Sequence, residues 1–316
     1  MPAAYWSSMR ITGQMSYQLL SSSVLGNQQS VYDAQQQITS GKRVDRPEDD
    51  PVDFERLAVL RDSLSAVQRY SRNIAQAQSE LSTVDSTMQQ VGQLFQRASE
   101  IAVQASDGTK SVAERRAMGE EVDALFSELL SMANTKHDGH TIFSGLRGSA
   151  TSYEGTDADG DGRLDTITYQ GGSGVRSVAV SGEGEVAVGL PGTDTSSPQA
   201  LFQTDTLDLF ATVKQFRDRL LNGDTIVDTD TIGQLQTCHE HVMGVLAMVG
   251  GRSEALRINS AAVSKRETDL VTSKDDLESL DVAQAMMTLT NKQQAYQAAL
   301  SATAGLTKDT LINWLR

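Results

Sequence analysis

The distribution of proline constrains the fold of this chain more than any other single feature. The 316 residues include only five prolines, at positions 2, 47, 51, 191 and 198. Because proline inside a helix removes a hydrogen bond and clashes with the preceding turn, residues 52–190 and 199–316 form two tracts without such interruptions. Glycine is concentrated elsewhere, since 12 of the 25 glycines lie between positions 145 and 192. The sequence therefore predicts helices, then a glycine-rich insert, then helices.

The N-terminal region predicts a slim amphipathic helix that depends on a partner. One stripe, at alternating steps of three and four, consists of Tyr17, Leu20, Val24, Asn27, Val31, Ala34 and Ile38. This spacing keeps a helix in contact with another helix. Serine and glutamine occupy the other faces, which argues against a buried core helix or a membrane span. We therefore interpret the stripe as an assembly seam.

Residues 281–316 predict a second helix of the same character. Its thin and largely polar stripe consists of Ala283, Met286, Thr290, Gln293, Gln297, Leu300 and Ala304. Each end of the chain therefore predicts one half of a coiled coil. We assign Ala283, Met286, Leu300 and Ala304 to the assembly seam together with the stripe of the N-terminal helix.

The segment after the first helix predicts an inter-domain elbow. Gly41 suits a helix C-terminus, and Arg43 lies where the helix macrodipole favours a cation. Pro47 and Pro51 prevent a continuous helix, and Asp50 precedes Pro51 as a capping residue precedes a first helical turn. We therefore predict that these five residues form the elbow.

Long helices are predicted on both sides of the insert. The helix that begins at Pro51 keeps its stripe for about 55 residues, roughly 80 Å at 1.5 Å per residue. Asp107-Gly108 ends it, and Ser111 with Glu114 forms a capping box for a third helix. Beyond the insert, a short helix ends at Asn222-Gly223, and a longer one follows from a second predicted capping box at residues 231–234.

Within residues 142–190 the apolar period changes to two, which is typical of strands. Residues 166–169 and 175–180, joined by a glycine-rich turn, predict a hairpin, and residues 185–188 predict a further strand. The insert is interpreted as a small, exposed β-rich region.

An acidic motif in the insert raises the question of a metal site. Aspartates at 157, 159, 161 and 165, with Gly162, follow the spacing of the first nine positions of an EF-hand calcium loop. Thr168 lies where a glutamate normally completes the calcium shell, and a predicted strand follows instead of a helix. An acidic hairpin turn is the favoured interpretation, and calcium binding by Asp157, Asp159, Asp161 and Asp165 is left open.

No residue pattern predicts catalysis. His239 and His241 are two positions apart, so on a helix they point to different faces and are unsuited to joint metal ligation. Cys238 is the only cysteine, which excludes an intrachain disulfide and a cysteine-based zinc cluster. Phosphate loops, dinucleotide fingerprints and nucleophile elbows do not occur. We predict a protein that is not an enzyme and that has no cofactor.

Charge and hydropathy limit the partners and the location. The chain has 27 Lys and Arg against 41 Asp and Glu, a formal charge of −14, which repels nucleic acid. The sequence contains neither an apolar run of the ~18 residues that span a membrane nor an apolar core typical of a cleaved secretory signal. We expect a cytoplasmic protein or one exported without a cleaved signal. Residues 1–8 precede Met9 and are interpreted as a disordered leader or the product of an early start codon.

Three motifs resemble the bacterial flagellin superfamily. They are MRITGQMSY at residues 9–17, ITSGKRVDRPEDDP at residues 38–51 and TIFSG at residues 141–145. The resemblance covers residues 9–146 and 204–316. Filament flagellins are similar in IAVQA at residues 101–105, but the proline-bracketed turn and the short insert favour the hook–filament junction branch of the superfamily.

The resemblance implies a mainly α fold with a small β insert, in which long antiparallel helical rods carry terminal helices that form a coiled coil. It divides the chain into a leader or disordered segment (1–8), an N-terminal axial helix (9–44), the N-terminal part of a helical rod domain (45–146), a β-rich outer insert (147–200), the C-terminal part of the rod domain (201–280) and a C-terminal axial helix (281–316).

The resemblance also implies a structural adaptor outside the cell, at the junction of flagellar hook and filament. The implied partners are hook-associated protein 1, flagellin, copies of the same chain in a ring and an export chaperone. Membrane insertion and nucleic acid are not expected. Two alternatives remain: a flagellin filament subunit, and a soluble coiled-coil or calcium-binding module of another class.

Overall fold

The computed structural model describes residues 5–147, 151–158, 160–193, 200–223 and 229–314, without the side chains of residues 5–14, 16, 17, 229 and 306–314. The helices in these ranges are α1 (Tyr5–Ser40), α2 (Pro51–Ala105), α3 (Val112–Ala133), α4 (Leu209–Asn222), α5 (Thr229–Glu278) and α6 (Val282–Trp314), with a short 3-10 helix at Gly145–Arg147. The predicted mainly α fold with a small β insert is confirmed.

The chain forms two compact units, each built from segments distant in sequence. The terminal unit extends to Ala66 and resumes at Glu267, and the central unit is Val67–Arg266. The six predicted segments follow changes of sequence pattern and stay a prediction. The helices α2 and α5 each contribute to both compact units. α1 begins at Tyr5, within the predicted leader, and residues 1–4 lie outside the described residues.

Local capping chemistry explains where several helices begin and end. Ser111 and Glu114 form the predicted capping box of α3, with reciprocal hydrogen bonds between side chain and backbone. α4 ends at Asn222, and Gly223 follows in the left-handed conformation with φ 76°. α5 begins at Thr229, two residues before the predicted box at Thr231, and continues through the glycine pair at 250 and 251.

The strands pair differently from the prediction. They are β1 (Lys136–His137), β2 (His140–Thr141), β3 (Tyr153–Thr156), β4 (Thr166–Tyr169), β5 (Ser177–Ala179) and β6 (Glu185–Ala187). They form three antiparallel pairs, β1 with β2, β3 with β4 and β5 with β6. The predicted β4–β5 hairpin is therefore wrong, because β4 pairs back across the acidic loop, in a register that sets Tyr169 opposite Tyr153.

An aromatic cluster explains that register and forms part of the core of the central unit. Tyr153 lies 5.0 Å from Tyr169, 5.3 Å from Phe202 and 5.1 Å from Phe210, measured between ring centroids. Phe143 completes the cluster with an edge-to-face contact on Phe202. Such pairs stabilise a core beyond the area that they bury. Tertiary packing therefore selects the partner of β4.

A buried arginine connects the insert to the helices of the central unit. Arg217 of α4 is almost fully buried and donates to Asp123 of α3 and to the carbonyl of Leu164, at 2.9 Å each. Its guanidinium also lies 5.3 Å from the ring centroid of Phe126. Burial alone would lower the pKa of Arg217, but its hydrogen bonds to the carboxylates of Asp218 and Asp123 raise it, so the charge is retained.

Candidate functional site

The two terminal helices pack against each other within the terminal unit. Leu280, just before α6, donates its N–H to the carbonyl of Gly41, just after α1, at 3.2 Å. Because the end of α1 thus meets the start of α6, the two helices run antiparallel. The pairing of the N-terminal helix with the C-terminal helix agrees with the sequence interpretation.

The predicted stripe of α1 is partly covered in this unit. Ala34 is buried, and the other described members are half-buried: Leu20, Val24, Asn27, Val31 and Ile38. Tyr17 belongs to α1, but its side chain lies outside the described residues. The opposite side of α1 exposes a second apolar group, Met15, Leu19, Leu25 and Tyr32. α1 thus has one face against a helix and another facing solvent.

The predicted stripe of α6 faces solvent. Ala283 and Ala304 are exposed, and Met286 and Leu300 are 51% and 43% exposed. A different set, again at steps of three and four, is half-buried: Ala285, Leu289, Lys292, Tyr296, Ala299 and Thr303. The sequence period does not choose between these stripes, since both fit a helical seam. The four predicted α6 residues therefore lie outside the α1–α6 contact of one chain, and their assembly role stays a prediction about contacts between copies.

The terminal helices carry few charges for exposed helices. The side chains of α1 are described from residue 15 onward, without 16 and 17, and those of α6 up to residue 305. In these parts Asp33 is the charged residue of α1 and Lys292 is that of α6. The whole chain, in contrast, is 22% charged. The α1–α6 helix pairs of two copies would approach one another with little repulsion between like charges, which fits a surface that packs against other protein.

The elbow forms a joint in which the turn after α1 meets the turn before α6. Gly41 adopts the left-handed conformation, with φ 69°, that favours glycine. Arg43 donates its N–H to the carbonyl of Glu278 at 2.8 Å, and its guanidinium reaches the carbonyl of Leu277 at 3.0 Å. Lys42 and Ser279 form a short antiparallel bridge. Backbone hydrogen bonds therefore connect the segment after α1 to the segment before α6.

The side chain of Glu278 lies at the centre of this joint. One carboxylate oxygen lies 2.7 Å from Nζ of Lys42 and 2.9 Å from Nη2 of Arg61, and the other lies 3.2 Å from Nζ of Lys274. The carboxylate is only 7% exposed. Burial would raise the pKa of Glu278, but hydrogen bonds from Lys42, Lys274 and Arg61 outweigh it and lower the pKa to about 2. The carboxylate is therefore ionised at neutral pH.

The other predicted elbow residues begin α2. Asp50 accepts hydrogen bonds from the N–H groups of Val52 and Asp53, at 3.1 Å each, as a helix cap does. Pro51 occupies the first helical position, and Pro47 lies in the exposed turn before it. Arg43 contacts Asp53 at 2.6 Å, and this hydrogen bond lowers the pKa of Asp53.

Sequence reasoning missed the acidic centre of the joint and two of its cations. Glu278 lies in a stretch with several other acids, and Arg61 and Lys274 lie on faces that helical periodicity assigns to solvent. A weak sign was available, because Glu278 follows Lys274 at the spacing of a helical ion pair. No sequence spacing indicates the contact of Glu278 with Arg61, because the two residues are distant in sequence.

The carboxylates of the acidic loop are used by the loop itself. Asp157 accepts from the N–H groups of Gly160 and Gly162 at 2.7 and 3.0 Å, and Asp165 accepts from Ala158 at 3.0 Å. Asp161 caps the backbone of Arg163, while Asp159 lies outside the described residues. The described part of the chain contains no group of three or more acidic, histidine or cysteine side chains suited to a metal. The arrangement fits a self-capped acidic turn.

The histidines and the cysteine of α5 have separate surroundings in the central unit. His239 contacts the carbonyl of Gly92 through Nδ1 at 3.2 Å, and His241 contacts that of Ala200 through Nε2 at 2.9 Å. Burial raises the pKa of the Cys238 thiol to about 11, which keeps it protonated and unreactive at neutral pH. These three residues form no common site.

Comparison with known proteins finds similarity to proteins of the bacterial flagellum. Residues 11–147 match the bacterial flagellin N-terminal helical region. Flagellar hook-associated protein 3 of Salmonella typhimurium is 28% identical over 163 residues, 51% of each chain, and that of Escherichia coli is 31% identical over 140 residues, 44% of each. This chain is similar to flagellar hook-associated protein 3. The resemblance expected from the sequence is confirmed, over about half the length of these relatives.

Filament flagellins match with less identity or over a shorter stretch. Polar flagellin F of Vibrio parahaemolyticus is 29% identical over 117 residues, 37% of this chain and 31% of its own. Polar flagellin C of the same species is only 23% identical, but over 287 residues, which are 82% of this chain and 74% of its own.

Solved structures with the same fold carry hook-associated names. A putative flagellar hook-associated protein from Vibrio parahaemolyticus aligns with a TM-score of 0.62 at 19% identity, covering 73% of this chain and all of that one. Hook-associated protein 3 from Legionella pneumophila aligns with a TM-score of 0.59 at 16% identity, covering 70% of this chain and 98% of that one. These likenesses show the fold. As for membranes, none of the described helices is long and apolar enough to cross one.

Proposed function

We propose that this chain is a structural adaptor subunit of the bacterial flagellum that joins the hook to the flagellin filament. The observation that carries the proposal is the pair of terminal helices, which leaves large apolar side chains on both helices open to solvent and, among its described side chains, bears few charges. Exposed apolar groups of this kind mark a surface that other protein covers. The similarity to hook-associated protein 3 supports this reading.

The proposed partners follow from a position at a junction. One face of a ring of these subunits would contact hook-associated protein 1, and the other would contact flagellin. Copies of the chain would contact each other within the ring, and a dedicated chaperone would bind the chain before export. The resemblance to the flagellin superfamily supports each of these contacts.

Within such a ring we assign different roles to the two parts of the assembly seam. The seam residues of α1 that lie against α6, Leu20, Val24, Val31, Ala34 and Ile38, would hold the helix pair together. The seam residues of α6 that face solvent, Ala283, Met286, Leu300 and Ala304, would contact neighbouring copies. Tyr17 is assigned to the α1 part by its position in the stripe.

We further propose that the protein works outside the cell, at the hook–filament junction, and is exported unfolded without a cleaved signal. Thin seams support this route, since helices that bury little apolar area gain most of their stability after assembly. Such helices are easily kept unfolded for passage through a narrow channel.

Deletion of the gene followed by electron microscopy tests the adaptor role. We expect cells with bare hooks and flagellin shed into the medium, and filaments restored by a plasmid that carries the wild-type gene. A matched plasmid with Val31→Asp should fail to restore filaments, whereas one with Val31→Ile, which keeps the half-buried position apolar, should restore them. Normal filaments in the deletion strain would overturn the proposal.

A filament subunit is the second candidate, favoured by the long alignment with polar flagellin C. The two candidates differ in how far the protein polymerises. A filament subunit extends itself without limit, whereas an adaptor stops after its ring. Purified chain that forms long filaments without added flagellin would favour the second candidate. Short rings or monomers would favour the adaptor.

A further inference from the structure

The joint between the terminal helices contains a more elaborate ion cluster than a turn requires. The cations around Glu278 come from three places: Lys42 follows α1, Arg61 belongs to α2 and Lys274 belongs to α5. A buried carboxylate is stable only when its charge is well paired. Here the pairing requires three separate segments of the chain to come together.

The backbone hydrogen bonds of the joint surround this cluster. The N–H of Arg43 donates to the carbonyl of Glu278 itself, and the N–H of Leu280 donates to the carbonyl of Gly41. These two bonds connect the segment after α1 to the segment before α6 and so close the joint. The neighbouring bonds of Gly41 to Gln37 and of Ala285 to Asp281, at 2.9 Å each, lie within the helical segments and do not cross it.

We propose that Glu278 is a positioning residue that holds the joint closed, so that α1 and α6 leave it as one antiparallel pair. The side chain draws Lys42 toward α5, and this brings Gly41 and Arg43 within reach of the backbone around Leu280. Without the carboxylate, the three cations would lose the acid that they share and would repel one another, with Asp45 near Lys42 and Asp275 near Lys274 as neighbouring acids. The two helices would then keep their internal hydrogen bonds but would no longer be held as an antiparallel pair.

A purely local role for Glu278 is the alternative. In that case the carboxylate would stabilise only the last turn of α5, as a helical ion pair with Lys274 does. Removing it would then weaken α5 and leave the bonds between the two ends intact. The two roles therefore differ in which amide groups exchange hydrogen faster when the carboxylate is removed.

Amide hydrogen exchange on the full-length free protein at neutral pH distinguishes these roles. In Glu278→Gln we expect exchange at the Arg43 and Leu280 amides to become faster by roughly tenfold or more, as a loss of about 1.4 kcal/mol in joint closure would produce. The Gly41 and Ala285 amides should change much less. Asp275→Asn is the matched control, because Asp275 is an exposed acid on the same helix that contacts Lys274 alone among the three cations.

Two results of this experiment overturn the proposal. One is unchanged exchange at Arg43 and Leu280 in Glu278→Gln. The other is an equal change in Asp275→Asn, which would mean that any lost charge has the same effect. If Glu278→Gln does not fold, Lys42→Gln gives the same test, since it leaves the carboxylate two cations and should open the joint in the same direction by less.

The positioning role rests on the proposed function, and a second measurement keeps the two apart. Glu278→Gln should restore filaments to a deletion strain poorly, whereas Asp275→Asn should restore them fully. Full restoration by Glu278→Gln, together with faster exchange at the joint, would show that closure is not needed for positioning and would overturn the role. Normal filaments in the deletion strain would instead overturn the adaptor function and leave the exchange result standing.

Discussion

The terminal and central units bury their apolar side chains to very different extents. In the described part of the terminal unit, the buried apolar residues are Ala34, Val44, Leu57 and Leu270. The central unit buries apolar residues along α2, α3, α4 and α5 and has an aromatic cluster in the same core. One unit therefore has a complete core, whereas the other has a seam and a charged joint.

This difference explains how one chain serves both as a folded body and as an assembly element. A unit with a closed core gains its stability alone, because apolar burial is the main favourable term in folding. A helix pair that leaves side chains such as Leu25 and Met286 more than half exposed gains the remainder from a partner. Damage to the central unit should therefore lower stability, and damage to the terminal unit should mainly prevent assembly.

The largest loss of stability should come from the aromatic cluster of the central unit. Phe202→Ala removes a fully buried ring that contacts Phe143, Tyr153 and Phe210, so we expect the free energy of unfolding to fall by about 3–5 kcal/mol. Urea unfolding followed by tyrosine fluorescence measures this. Leu25→Ala, in the terminal unit, should change the same transition by less than about 0.5 kcal/mol. Equal effects of the two changes would contradict the division into core and seam.

A charge in the α1 seam should separate folding from assembly. We expect Val24→Asp or Val31→Asp to abolish incorporation into the flagellum, because these positions are half-buried and an unpaired charge that packing covers costs several kcal/mol. The melting transition of the central unit should stay unchanged. Circular dichroism of the purified variant and motility of the complemented deletion strain are the two measurements. Unaltered motility with both substitutions would refute the role of this seam.

The sequence predicted those features that depend on neighbouring residues. The capping box at Ser111, the end of α4 at Gly223 and the turn at Gly41 follow from local backbone chemistry, and the structure has all three. The pairing of β4 was missed because the aromatic contact of Tyr169 with Tyr153 decides it, and a glycine-rich turn does not.

The candidate site was only half predictable for the same reason. The elbow residues carry proline, glycine and capping signals, but Glu278 gains its role from Lys42 and Arg61, which are distant in sequence. The half-buried stripe of α6 differs from the predicted one because both stripes have the same period. Periodicity specifies that a helix has a seam, and the position of the partner decides which seam it uses.

Acid should open the terminal unit before the central one. The pKa of Glu278 is lowered from 4.5 to about 2 in the folded chain, so its contribution is fully present above pH 4.5 and is lost as the pH falls toward 2. The shift corresponds to roughly 3 kcal/mol before solvent around the exposed cations weakens it. Amide exchange of the joint at pH values between 5 and 3 measures this loss.

The matched variant for the acid experiment is Glu278→Gln. It should show low protection of the joint amides at every pH and a much weaker dependence of that protection between pH 5 and pH 3, since Asp53, which contacts Arg43, is then the joint carboxylate with a lowered pKa. A wild-type joint that stays protected at pH 3, or a variant that keeps the same pH dependence, would assign the acid response to other carboxylates.

The smallest effect expected is that of calcium on the acidic loop. Asp157 and Asp165 already accept hydrogen bonds from the backbone of the loop, and Asp161 caps Arg163 and pairs with its guanidinium. A calcium ion would have to replace these bonds, and a ligand that does not bind the folded state does not stabilise it. We expect millimolar calcium to shift the melting temperature by less than about 1 °C relative to a chelator. Magnesium at the same concentration is the control for ionic strength. A rise specific to calcium, abolished by Asp157→Asn, would show that the loop rearranges to bind the ion and would give the insert a ligand of its own.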